Sequence, residues 1–299
     1  RGLGDVYKRQ VFIACLLQEQ GMPVRLVQTN SGNFYLGDLD EIRYFNRALD
    51  LSQDTHLIDD ERWETAKRCL KREFGHAQSW EICRNIILNF EQVYSRKYHS
   101  DWTNYLFESK LEDFYPVQGE AIVVSTIHKA KGKEFDNVFL LLTNIESLSD
   151  EKKREVYVAI TRAKQNLSIH TNGHYLSNIA NGLAEYRINS NTYPAPQSLC
   201  YTLTHRDLWL DFFIDSHCQA AINTLKSGMS LRLTEKGCTD FSNNEILRFS
   251  KKFKDILNEL IQKDYKLEKA SVNFVVYWEK QEDKKEAKIV LPKVVFKKV

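Results

Sequence analysis

Between Ile122 and His170 the chain gathers side chains suited to holding phosphate. Thr126, His128, Lys129, Lys131, Lys133 and Arg162 offer a hydroxyl, an imidazole and a row of cationic groups, with Glu134 as the lone early acid. Gly132 sits among them. Two apolar β-type runs, Ile122–Ser125 and Asn137–Leu142, bracket this polar loop. A third run, Leu167–His170, follows Thr161-Arg162-Ala163. An α/β protein presents charged side chains in this way, at the ends of buried parallel strands.

Other elements must hold those strands. Val11–Gln20 has helical spacing and stops at Gly21-Met22-Pro23, a helix-ending signal. Val24–Gln28 then reads as a strand, so helix, turn and strand form one α/β repeat. Residues 30–40 are loop-like, rich in Gly, Asn and Asp. From Glu41 to about Lys110 apolar residues such as Leu70, Phe74, Ile86, Ile87 and Phe90 fall at helical spacing, and no strand pattern stands out. The aromatics there (Trp63, Trp80, Trp102, Tyr94, Tyr98, Tyr105) could stack on bases, but core packing between short helices is the expectation for most. Gly173–Tyr186 reads as a closing helix, and Asn189–Ser198, with Pro194 and Pro196, as a linker. Beyond it Leu231–Thr234, Ile246–Phe249, Ser271–Trp278 and Lys288–Phe296 read as strands. Phe253, Ile256, Leu257, Leu260 and Ile261 mark an amphipathic helix.

Bulk properties exclude little. The 299 residues suffice for two domains, and 42% hydrophobic with 27% charged content is ordinary for a globular chain. No apolar run approaches the ~20 residues of a membrane span, and no secretory signal opens the chain. Six scattered cysteines without a C-x-x-C pair suit reduced thiols in a cytoplasmic protein. Cys200, His205, His217 and Cys218 match no common zinc spacing, so no metal site is expected. Net charge is only +2, but residues 251–299 hold 13 Lys against 8 acids. A basic tail can favour nucleic acid, though a solvated lysine-rich surface explains it equally well.

Ser125-Thr126-Ile127-His128-Lys129-Ala130-Lys131-Gly132-Lys133-Glu134-Phe135 resembles motif V of UvrD/Rep-like superfamily 1 DNA helicases. Val156-Tyr157-Val158-Ala159-Ile160-Thr161-Arg162-Ala163 resembles their motif VI. Two long motifs in the right order are far more specific than a short glycine signature. Lys133 departs from many relatives, which have an apolar residue before the Glu. The resemblance implies the C-terminal half of an ATP-dependent helicase or translocase, a P-loop NTPase that closes two RecA-like lobes around ATP. The expected fold is α/β: a RecA-like parallel-sheet lobe with a helical insertion, then a small α+β module. The expected boundaries are 11–29 and 117–187 for the lobe, 30–116 for the insertion, 188–199 for a linker and 200–299 for the accessory module. Residues 1–10, RGLGDVYKRQ, resemble translated adapter sequence, so the chain is expected to be truncated at its N-terminus.

In that family the motif VI arginine contacts the γ-phosphate, which makes Arg162 the catalytic candidate. A planar guanidinium bridges phosphate oxygens and stabilises charge that builds in transfer, at a worth of ~10³–10⁵ in turnover. The competing assignment is a surface ion pair with Glu155. Glu134 matches the acid that hydrogen-bonds the ribose, and Gly132 the small residue that lets backbone approach ligand; Gly132 could equally be a turn glycine. Thr126 and His128 match positions near the DNA backbone, where hydroxyl and imidazole N–H donate to phosphate. Lys131 is a further possible phosphate contact. Thr161 is expected to orient the loop carrying Arg162, and Tyr157 to pack rather than bind.

No G-x-x-x-x-G-K-[ST] occurs in the sequence, and Asp59-Asp60-Glu61 lacks the strand setting of a metal-binding acid pair. The resemblance implies ATP and Mg²⁺ as cofactors, and these absences leave the metal to be held mainly by a missing N-terminal lobe of the same polypeptide. This chain alone is expected not to hydrolyse ATP. The expected partner is DNA, single-stranded, with a role in DNA repair and no membrane. A non-catalytic nucleic-acid or partner binding module is the alternative, although such a binder has no use for an arginine finger. A nuclease is disfavoured for want of clustered carboxylates.

Overall fold

The computed structural model describes residues 3–27, 34–51, 55–116, 121–142, 149–172, 187–215 and 217–299. In chain order the elements are α1 (Leu3–Glu19), β1 (Val24–Leu26), α2 (Asp40–Leu49), α3 (Asp60–Phe74), α4 (Trp80–Val93) and α5 (His99–Glu108). Then come β2 (Ile122–Val124), β3 (Phe135–Leu142), α6 (Asp150–Ile160), β4 (Ala163–Thr171) and β5 (Ser198–Thr202). The chain ends with α7 (Asp211–Asp215), α8 (Cys218–Ile222), β6 (Ser230–Leu233), β7 (Gly237–Thr239), β8 (Glu245–Arg248), α9 (Lys251–Ile261), β9 (Tyr265–Lys280) and β10 (Lys285–Lys298). The fold is mixed α/β, with parallel strand pairs and a curled antiparallel sheet. Backbone contacts divide the chain into two compact units, Arg1–Thr29 with Ala121–Ala195, and Asn30–Glu120 with Pro196–Val299.

In the first unit β1 and β2 pair in parallel, Val24 opposite Ile122 and Leu26 opposite Val124. Bonds from Ile122 N to Pro23 O (2.8 Å) and from Val27 N to Val124 O (2.9 Å) extend the ladder. Helix α1 buries Val11, Ala14 and Cys15 and ends at Gly21, whose φ of +79° only glycine adopts without strain. It begins at Leu3, so it takes in part of the segment that the sequence reading set aside. Strands β3 and β4 form a second parallel pair, joined by the crossover helix α6. Ser149 caps α6 by accepting a hydrogen bond from Lys152 N, and Asp150 and Glu151 lie in its first turn. One face of α6 packs Val156 and Ala159 onto Leu140 and Leu142, with Ile127, Ile160 and Ile169 closing the cluster.

The expectation of buried parallel strands holds on one face only. Phe139 remains 70% exposed and Leu141 50% exposed, because α6 covers the opposite side of this two-stranded pair. The closing helix read over Gly173–Tyr186 lies outside the described residues.

In the second unit α2–α5 surround an aromatic cluster. Phe45, Trp63 and Trp102 meet edge-to-face at 5.0–5.6 Å between centroids, and Phe90 lies 4.9 Å from Trp102. The indole N–H groups are satisfied internally, Trp63 by Glu91 (2.7 Å) and Trp102 by Asn46 (2.8 Å). These tryptophans are core residues, not a stacking platform.

The strands of residues 198–299 form one antiparallel sheet in the order β5-β10-β9-β6-β7-β8. Pro292 lies within β10 between two neighbours, where a proline would break a regular ladder. The register shifts at Leu291/Pro292, and the Pro292 carbonyl still accepts from Leu203 N (2.8 Å). The helices and this sheet belong to the same unit. The ion pairs Lys288–Asp40 (2.8 Å) and Arg43–Glu286 (2.7 Å) join them, as do a Lys226–Glu73 pair and a bond from Gln78 N to Ser227 O (3.0 Å).

Candidate functional site

The loop from Val124 to Phe135 is built by its own backbone. Thr126 O accepts from Lys129 N (3.1 Å) and Ala130 N (3.2 Å), and its hydroxyl oxygen accepts from Lys129 N (3.3 Å). The result is one 3₁₀ turn, His128–Ala130, anchored by Ile127 in the α6 cluster. Gly132 then reverses the chain with φ +79°, and a Cβ there would meet nothing within 4 Å. The glycine is needed for the backbone angle, and the space beside it is open.

Arg162 follows directly from the end of α6. Its Nε donates to Val158 O (3.0 Å), one terminal nitrogen to Lys133 O (3.2 Å) and the other to Thr161 Oγ1 (3.1 Å). Phe135 N donates to Arg162 O (2.9 Å), which ties the two loops by backbone as well. The guanidinium therefore sits against the Gly132–Glu134 turn. Thr161 in turn lies within hydrogen-bond distance of the Tyr157 and Val158 carbonyls (3.1 and 3.0 Å), which fixes the hydroxyl that receives Arg162.

The ion pair between Arg162 and Glu155 does not form. Glu155 is held by Lys152 and lies 3.7 Å from His128 Nε2, while Arg162 has no acidic partner among the described residues. His128 is 79% exposed at its side chain, so its imidazole reaches outward from the loop. Glu134 is also exposed, 3.8 Å from Lys164 Nζ. Lys164 is a site neighbour that sequence reasoning missed, although it stands two residues beyond Arg162 in a strand whose first pairing is Phe135 with Ala163. Lys131 is exposed at the turn. Tyr157 is corrected: it is 69% exposed, on the side of α6 away from the Val156–Ala159 face.

The structure thus brings Gly132, Glu134, Thr161 and Arg162 to one junction, with Thr126, Lys131 and His128 on the same short loop. Cationic groups dominate there, and a cationic, partly open junction at strand ends is suited to an anionic ligand. Among the described residues no three His, Cys, Asp or Glu side chains gather as a metal site would require. Nor is any helix among them long and apolar enough to cross a membrane.

Residues 83–174 match the UvrD-like helicase C-terminal domain. That stretch, which contains both loops, is a UvrD/Rep-like helicase C-terminal region. It begins in α4 of the second unit and runs through β4 of the first. No curated protein matches the chain.

Proposed function

We propose that the chain supplies the second lobe of an ATP-dependent DNA helicase or translocase, of RecA-like architecture. One observation carries the reading: Arg162 is held by Val158, Thr161 and Lys133 at the glycine turn, beside Glu134 and without an acidic partner among the described residues. The fit to a nucleotide rests on that junction. Of the five N–H donors of a guanidinium, Arg162 uses three, which leaves two for phosphate oxygens. Gly132 leaves room for close approach, and the exposed Glu134 carboxylate can accept from ribose hydroxyls.

ATP supplies the phosphoryl group whose transfer to water drives the motor, and Mg²⁺ neutralises charge on its oxygens. This chain's residues are assigned no part in holding the metal. Arg162 brings positive charge to the transferring group when the lobes close. Thr161 positions Arg162 and withholds one of its N–H groups until closure. Thr126 and His128 donate to the phosphates of a single DNA strand, and Lys131 adds charge beside them.

The test is Arg162→Ala in a polypeptide carrying both this chain and a lobe with a phosphate loop. DNA-stimulated ATP hydrolysis is expected to fall by about 10³-fold or more, with DNA affinity within a few fold of the parent. Turnover surviving within a few fold would remove Arg162 from the mechanism.

A further inference from the structure

The second unit carries a cleft that the motor reading leaves unused. It is an open cleft of about 530 Å³ lined by Leu208, Trp209, Asp211, Phe249, Lys251 and Lys254, among others. Leu208 and Phe249 form buried apolar walls, whereas Trp209 is 48% exposed.

Local bonds hold this arrangement. Asp207 accepts from Thr204 N (2.9 Å) and Thr204 Oγ1 (2.8 Å), closing the turn before Leu208. Ser250 N donates to Asp207 O (2.9 Å) and Ser250 Oγ to Arg206 O (3.0 Å), which joins that turn to the start of α9. Trp209 N donates to Arg248 O (2.9 Å). The Arg248 guanidinium lies 5.4 Å from the Trp209 ring centroid and 5.0 Å from that of Phe212. Two bonds to Glu245, at 2.6 and 2.7 Å, hold it there.

The indole is thus backed by a clamped cation and keeps an exposed surface, so little freedom is lost when a second flat group stacks on it. Lys251 and Lys254 are exposed and have no acidic partner among the described residues, while the one acid of the lining, Asp211, is engaged by Lys280 at 2.8 Å. An acidic peptide would answer the lysines alone. A nucleobase with its phosphates answers both the lysines and the ring.

We propose that this cleft binds single-stranded nucleic acid, with a base stacked on Trp209 and neighbouring phosphates on Lys251 and Lys254. The site is separate from the Arg162 junction and does not depend on ATP or on the motor reading.

The test uses the full chain without nucleotide and a fluorescent oligothymidylate of about 15 residues, the span of one such groove. A version carrying 5-iododeoxyuridine provides photocrosslinks for peptide mapping. Crosslinks are expected at Trp209, and they should persist in Thr126→Ala/His128→Ala. Trp209→Ala should weaken binding roughly tenfold. Lys251→Glu/Lys254→Glu, on exposed positions that folding does not need, should weaken it at least as much and flatten the salt dependence. Crosslinks confined to other residues, or both variants binding within about twofold of the parent, would overturn the proposal. So would displacement of the oligonucleotide by polyglutamate at equal charge, which would assign the cleft to acidic peptide.

Discussion

Arg162 is constrained by its own neighbours. Its three internal bonds set the guanidinium plane, and the hydroxyl of Thr161 supplies one of them. In the proposed motor role, pre-set geometry of this kind would reduce the cost of ordering at closure. Gly132 makes a separable prediction. Its φ of +79° penalises any residue with a Cβ, yet nothing lies within 4 Å of where that atom would be. Gly132→Ala should therefore lower unfolding free energy by about 1 kcal/mol from backbone strain alone, read by urea titration. A larger loss of nucleotide affinity than of stability would show that the open space is used by ligand. Equal small losses would leave Gly132 a turn residue. The motif residues were legible because their types and order recur together. The exposure of Tyr157 was not, since an aromatic within an apolar helical run reads as packed until the partner elements are known.

At the scale of elements, the strands flanking the motifs and the long hairpin were readable from alternation and β-branched runs. β5, β7, α7 and α8 were missed, because three to five residues do not establish a period. The short turn before Leu208 holds His205, which is 8% exposed and whose Nε2 has no hydrogen-bond partner among the described residues. Burial brings its pKa down from 6.5 to about 4. The unfolded chain therefore binds a proton that the folded chain refuses across that window. The stability this neutral imidazole preserves is present above about pH 6.5 and is lost as pH falls toward 4. Between about pH 7 and pH 5 that amounts to about 2 kcal/mol. Urea unfolding of the parent and of His205→Gln at both pH values checks it. The variant should lack this part of the acid sensitivity, and equal sensitivity in both would show that another group is responsible.

At the scale of the whole molecule, residues 34–116 and 196–299 are distant in sequence but share one compact unit. Lys288 and Asp40 meet at 2.8 Å with side chains 12% and 7% exposed, close but off the hydrogen-bond direction. Removing one partner leaves a buried charge uncompensated, so Lys288→Met should cost about 3 kcal/mol. Asp40→Asn/Lys288→Met should cost less than Lys288→Met alone, because no unpaired charge remains. Denaturant midpoints with unchanged slope would measure both, and additive losses would show that the pair does not couple.

The amino-acid order by itself determined the local matters. Helical spacing, strand alternation, the glycine that reverses the motif loop and the row of cationic groups from His128 to Lys133 all depend on residues a few positions apart. Only the tertiary structure decided which carbonyls hold Arg162, that one face of β3 stays bare, that Lys288 answers Asp40, and that Trp209 shares a cleft with Lys251 and Lys254. Those outcomes depend on groups brought together across tens to hundreds of residues. Periodicity along a chain carries no record of such distances.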